Sequence, residues 1–295
     1  MLRAKTFLVL TFAVAVAAVA NAANFSGASA LQFTKRAVDF GPRPSGSAAN
    51  LKLQAYILNE LKLDGCTVSE DAFVAQTPKG AVPMKNIIAK FPGKSGHAIV
   101  ITGHFDTKNY PGRNFVGAND GGSSTGFLLE MGRVLAKEPR ADDVYLVFFD
   151  GEEAVREEWE GEDNLYGSRH LAERWRKDGT ITRIKALINV DMIGDKNLDM
   201  KRDPNSSPAL NKLVWSTAAE LGYQAYFLNA NLPMEDDHQP FLKLRVPAID
   251  LIDFNYGLDN RFWHEDTDTM DKLSAQSLEI VGTVVVEVIH RLERQ

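Results

Sequence analysis

Six consecutive apolar residues, Val144, Tyr145, Leu146, Val147, Phe148 and Phe149, run straight into Asp150, Gly151, Glu152 and Glu153. An apolar run without polar interruption suits a strand buried on both faces of a parallel sheet. Ligand sites in open α/β sheets lie at the carboxyl ends of such strands. Two adjacent carboxylates at that point suggest a division of labour, in which one binds a metal while its neighbour moves protons.

The rest of the chain alternates strands and helices. The pattern predicts helices over 29–39, 48–63, 122–137, 167–177, 207–221 and 274–291. It predicts strands over 67–76, 85–91, 97–102, 144–149, 185–190 and 247–252. In the second helix Leu51, Ala55, Leu58 and Leu61 mark the expected apolar face; in the last, Leu278, Val281, Val285, Val288 and Leu292 form one stripe. Gly41, Pro42, Pro44 and Gly46 break the chain between the first two helices. A polar loop spans 107–119, and Glu157, Glu158, Glu160, Glu162 and Asp163 form an acidic loop expected to be solvated. With no repeat, low-complexity tract or linker, this order predicts one α/β/α sandwich on a mixed, mostly parallel central sheet.

The termini and the cysteine narrow the setting. Arg3 and Lys5 precede an apolar stretch over 7–20, and Ala20, Asn21 and Ala22 read as a cleavage site. A signal peptide over 1–22 and an exported, periplasmic or secreted catalytic domain over 23–295 are expected. A membrane anchor fits less well, because the stretch is short and no stop-transfer charges follow. Loss of Arg3 and Lys5 would move the net charge from −6 to −8. With no basic stretch, that charge argues against nucleic acid as a partner. Cys66 is the only cysteine, which excludes an internal disulfide and thiolate-rich metal sites. A metal here must use histidine and carboxylate ligands.

Such residues recur where elements end. His104 and Asp106 follow one predicted strand, Glu152 and Glu153 another, and Asp191 a third; Asp120 precedes a helix, and His264 lies before the last one. Singly, each has an ordinary explanation: a loop acid is usually solvated, and Asp120 could cap its helix. Their co-occurrence carries the argument. A catalytic zinc takes three protein ligands and keeps a position open. Asp120, Glu153 and His264 fit that set. Glu152 would then stand beside the metal as general base, and its pKa would need to rise through burial near other acids to work around neutral pH.

At these residues the chain resembles the zinc-peptidase family that holds bacterial leucyl-type aminopeptidases. Longer stretches resemble, more narrowly, the animal-type glutaminyl cyclases: Phe148 through Ala154, Leu165 through Ala172, Glu235-Asp236-Asp237-His238 with Pro240-Phe241-Leu242, Trp263-His264, and Gly41-Pro42-Arg43. The resemblance covers nearly all of the chain beyond the signal. It implies a zinc-dependent enzyme that converts the N-terminal glutamine of peptides to pyroglutamate and releases ammonia. It also implies one zinc on Asp120, Glu153 and His264, and Glu152 as proton shuttle in an acid network with Asp191 and Asp236. Trp263 and Trp159 would line the substrate pocket, although the segment around Trp159 is one residue longer than in the animal enzymes. His238 would be a pocket hydrogen-bonder or a structural histidine. In two-metal aminopeptidases the residues matching His104 and Asp191 hold a second metal, and this reading stays open. His170 is expected to be structural, and His97 and His290 to lie on the surface. The partners implied are Gln-initiated peptides, with no stable membrane insertion and a monomeric chain. The rivals are a secreted zinc aminopeptidase and a catalytically dead binding module. The second is disfavoured because no ligand is missing.

Overall fold

Burial on both faces is what the apolar strands have in common. The computed structural model describes residues 25–295; the expected signal over 1–22 lies outside the described residues. The strands, in chain order, are β1 (Thr67–Thr77), β2 (Gly80–Phe91), β3 (Ala98–His104), β4 (Asp143–Phe149), β5 (Ile184–Asp191), β6 (Met200–Arg202), β7 (Phe227–Asn231) and β8 (Ala248–Ile252). Every residue of β3 and β4 is buried. Side chains alternate between the two cores: Val144, Leu146 and Phe148 enter one, and Tyr145, Val147 and Phe149 the other. This double burial is why the sequence shows an unbroken run rather than an alternating one.

Six strands form one sheet in the order β1-β2-β4-β3-β5-β8, and β6 pairs with β7 separately. β4, β3, β5 and β8 are parallel; β2 joins β4 antiparallel, and β1 pairs with β2 as an edge hairpin. The expected α/β sandwich on a mixed, mostly parallel sheet is therefore the observed one. The helices are α1 (Gly27–Val38), α2 (Ala48–Leu63), α3 (Gly122–Leu135), α4 (Tyr166–Asp178), α5 (Pro208–Glu220), α6 (Gln239–Lys243) and α7 (Ala275–Glu293). The larger core is closed by α1, α2, α3, α5 and α7, and the smaller by α4 and α6. The α7 stripe from Leu278 to Leu292 is buried as expected. Among the described residues, no helix is long and apolar enough to cross a membrane.

The expected face of α2 is corrected. Leu51 is 56% exposed, and Ala55 is exposed too. The buried face is Asn50, Leu53, Gln54, Ile57 and Leu61. Two polar residues belong to it because a buried acid needs them: Asn50 Nδ2 donates to Asp150 Oδ1 at 3.0 Å and Gln54 Nε2 to Asp150 Oδ2 at 3.4 Å. An apolar template cannot find a face whose partner is a carboxylate.

The chain leaves β3 for β4 on one side and later returns as β5 on the other, so β3 lies at a switch point of strand order. The carboxyl ends of β3, β4 and β5 deliver His104, Asp150 through Glu153, and Asp191 to one place.

Candidate active site

Asp120 does not cap its helix. The N-cap of α3 is Gly121 at φ +75°, with no side-chain cap. A Cβ at Gly121 would lie 2.5 Å from the Asp106 carbonyl oxygen and 3.1 Å from the His104 ring, so the turn passes too close for any other residue. The turn is held from two sides. The buried Arg43 guanidinium donates to the carbonyls of Phe105 at 2.8 Å, Val116 at 2.5 Å and Gly117 at 2.8 Å. Asp268 accepts the backbone N–H of Asn119 at 2.8 Å, that of Asp120 at 3.1 Å, and the Tyr256 hydroxyl at 2.7 Å. The Asp120 carboxylate is thereby aimed inward.

Asp120, Glu153 and His264 offer ligand atoms all within 4.8 Å of one another. His264 Nε2 stands 3.3 Å from Asp120 Oδ2 and 3.2 Å from Glu153 Oε1. Tetrahedral zinc bonds of about 2.0–2.1 Å set ligand atoms about 3.3 Å apart, so the spacing fits. The buried Asp120 Oδ2 has no hydrogen-bond partner, as a ligand oxygen should, whereas Glu153 Oε1 also accepts the Lys108 N–H at 3.2 Å and Glu153 Oε2 lies 3.9 Å from Lys108 Nζ. A second group, His104, Asp120 and Asp191, shares Asp120 and can also hold a metal. There His104 Nε2 is already within 3.2 Å of Asp191 Oδ1, as a hydrogen-bonded pair. Asp106 joins neither group; its carboxylate accepts the backbone N–H of Glu152 at 3.2 Å and of Glu153 at 3.4 Å. It shapes the loop that carries both acids.

Glu152 is buried, with Oε2 3.8 Å from His104 Nδ1. Burial raises its pKa well above the ordinary carboxylate range; His104 opposes this, and Glu153 and Asp236 add to it. Burial and then the charge of Asp191 push Asp236 up to about 6. Asp191 is raised by burial, against the pull of His104. Burial alone would lower the His104 imidazole, but the Glu152 and Asp191 carboxylates outweigh it and raise it. The acids thus act as one charge-coupled group.

A cavity of about 240 Å³ opens over this group. Glu152, Asp120, Asp191, Asp236 and His264 contribute to its lining, together with Trp159, Trp263 and Phe254. Trp263 stacks on the His264 imidazole at 4.0 Å and meets Phe254 edge-on at 4.9 Å. Glu157 and Glu158 of the acidic loop reach the cavity, whereas Asp163 is buried and accepts the N–H groups of Val155 and Arg156. His238 does not line the cavity: fully buried, it places Nε2 3.0 Å from Asp203 Oδ2. His170 binds Asp71 at 3.0 Å and stacks on Phe73, away from the site. His97 is exposed and His290 contacts Glu138. Asp268, Phe254 and Met234 were not singled out from sequence. Phe254 sits just beyond β8, and that strand-end position was the available signal.

The Peptidase family M28 model matches residues 86–289. A glutaminyl-peptide cyclotransferase of Gloydius blomhoffii is 30% identical over 282 residues, covering 82% of this chain and 75% of the relative. The crystal structure of a glutaminyl cyclase from an Acidobacteriales bacterium superposes with a TM-score of 0.89 at 41% identity, covering 96% of this chain and 99% of that one. A leucine aminopeptidase precursor from Bacteroides thetaiotaomicron also superposes, with a TM-score of 0.84 at 27% identity over 92% of this chain and 99% of the other. Over most of its length, then, this chain belongs to peptidase family M28 and, within it, to the glutaminyl-peptide cyclotransferases.

Proposed function

We propose that the protein is a zinc-dependent glutaminyl-peptide cyclotransferase, exported after cleavage near Ala22 and acting as one catalytic unit over 23–295. The observation that carries this reading is the position of Glu152: a buried carboxylate of raised pKa, beside an Asp120–Glu153–His264 ligand set, under a compact aromatic-walled cavity. The cavity, about 240 Å³, suits one side chain rather than a long stretch of peptide.

One zinc, held by Asp120, Glu153 and His264, would supply Lewis acidity at the γ-amide carbonyl of the substrate glutamine. Trp263 and Trp159 would clasp the apolar stem of that side chain, and the small cavity would hold the α-amine against the amide carbon. That proximity makes the attack effectively unimolecular. Glu152 takes a proton from the α-amine as the new N–C bond forms. The same carboxyl then gives the proton to the departing nitrogen as the C–N bond of the amide breaks. The products are a pyroglutamyl peptide and ammonia, and no water is consumed. Burial first, with the charges of Glu153 and Asp236, keeps the Glu152 carboxyl in the raised range a shuttle needs near neutral pH, and Asp191 acts on Asp236 in turn. His238 supports its segment through Asp203 rather than touching substrate.

Mass spectrometry of a Gln-initiated and a Leu-initiated peptide, each incubated with purified protein, tests this. Loss of ammonia from the first with the second intact is expected. Removal of the N-terminal residue instead would favour a second reading, a zinc aminopeptidase, which the His104–Asp120–Asp191 group makes specific by offering a second metal site.

A further inference from the structure

His264 has φ +56°, the left-handed region that a residue bearing a Cβ adopts only when its surroundings fix it. The fixing groups come from the 107–119 loop. Arg113 Nη2 donates to the His264 carbonyl at 3.1 Å and to Glu265 Oε2 at 2.7 Å, and Arg113 Nε donates to Asp266 Oδ1 at 3.2 Å. One guanidinium therefore ties down three consecutive residues. It also lies over the Tyr110 ring, 4.5 Å from the centroid. Tyr110 and Phe115 in turn meet the His264 imidazole edge-on, at 5.9 and 5.7 Å between centroids. The loop thus grips the histidine twice, at its carbonyl and at its ring.

We infer that Arg113 is a positioning residue for the metal centre: it holds the 264–266 turn in the one conformation that presents His264 Nε2 to Asp120 and Glu153. The inference rests on the reading of those three residues as metal ligands. Arg113 touches neither the ligand atoms nor the cavity, and its side chain is 35% exposed. Exposed ion pairs of this kind contribute little to global stability, so the consequence of losing it is local. The forked guanidinium is what reaches three acceptors; a lysine ammonium is a point charge and cannot span them.

The test is zinc release to a chelator from the full chain, with the thermal midpoint of the metal-free protein measured alongside. Removing a group that orients a metal ligand typically costs about ten- to hundredfold in metal affinity, and Arg113→Met is expected to show that loss as zinc release about ten- to hundredfold faster. Its metal-free midpoint should stay close to that of the wild type. Arg113→Lys should not restore slow release. Saturating zinc should return the turnover of Arg113→Met on a Gln-initiated peptide. Unchanged zinc release in Arg113→Met would overturn the inference, and so would full restoration by lysine. A lowered metal-free midpoint with unchanged release would mark Arg113 as merely structural. A wild type that takes up no zinc at this site would overturn the metal reading itself, and the positioning role with it.

Discussion

The Asp268 carboxylate accepts the backbone N–H of Asp120 at 3.1 Å, although 148 residues separate the two in sequence. It accepts the Asn119 N–H and the Tyr256 hydroxyl as well, so one buried acid fixes the turn that aims the proposed metal ligand Asp120. Asp268→Ala would leave those N–H groups buried without acceptors. Each such group costs about 1–3 kcal/mol. The expected outcome is a lower denaturation midpoint together with weaker zinc uptake. A variant with normal zinc affinity would show that Asp120 is positioned by Arg43 alone.

Glu152→Gln should separate binding from chemistry. The amide keeps the shape but cannot accept and return a proton. Zinc content should stay near one per chain while turnover falls by about 10²–10⁴-fold, the span typical of a lost general base. Near-normal turnover would remove the shuttle role. The companion change His264→Ala should lose zinc, and full metal content in it would dismiss the ligand assignment.

What the sequence revealed, and what it hid, follows from the range of the interactions. The β4 run and the α7 stripe are local apolar patterns, and both were legible because burial alone dictates them. The convergence of His104, Glu152, Glu153 and Asp191 was legible because strand ends gather in a parallel sheet. The true face of α2 was hidden, since Asn50 and Gln54 are buried by a carboxylate 100 and 96 residues away. Asp268 and Arg113 were hidden for the same reason: their roles are hydrogen bonds to distant loops, and nothing near them in sequence announces a partner. His238 lies two residues after Asp236 in sequence, yet it pairs with Asp203 and does not line the cavity.

Gly121→Ala tests the close approach beneath His104. The new methyl would meet the Asp106 carbonyl at 2.5 Å in a backbone conformation already unfavourable to alanine. Left-handed geometry alone costs a non-glycine residue roughly 1–2 kcal/mol, and the clash adds to it. The turn must shift, carrying Asp120 with it. Loss of both stability and zinc affinity is expected, read by calorimetry and by metal content. A variant that folds and binds zinc normally would mean that the turn yields without moving its ligand.

Asp253 should give the protein a pH-dependent stability that does not involve the Asp120–Glu153–His264 group. It is buried, accepting the N–H groups of Asp199 at 3.0 Å and Asn255 at 3.2 Å. Burial raises its pKa from 3.8 to about 7; the Asp199 N–H opposes this, and the charges of Asp199 and Asp195 add to it. A folded pKa above the unfolded one means that the native state holds the proton more tightly. The resulting stabilisation is complete below about pH 4 and is lost as pH rises through about 7. At about 1.4 kcal/mol per unit, the effect amounts to a few kcal/mol. Asp253→Asn cannot ionise, and it also loses one N–H acceptor at every pH, so the comparison is of slopes rather than absolute values. Between pH 5 and pH 8 the wild type should lose more of its urea midpoint than the variant does. Equal losses would show that Asp253 titrates normally in the folded chain, with its charge solvated by groups other than the two N–H donors.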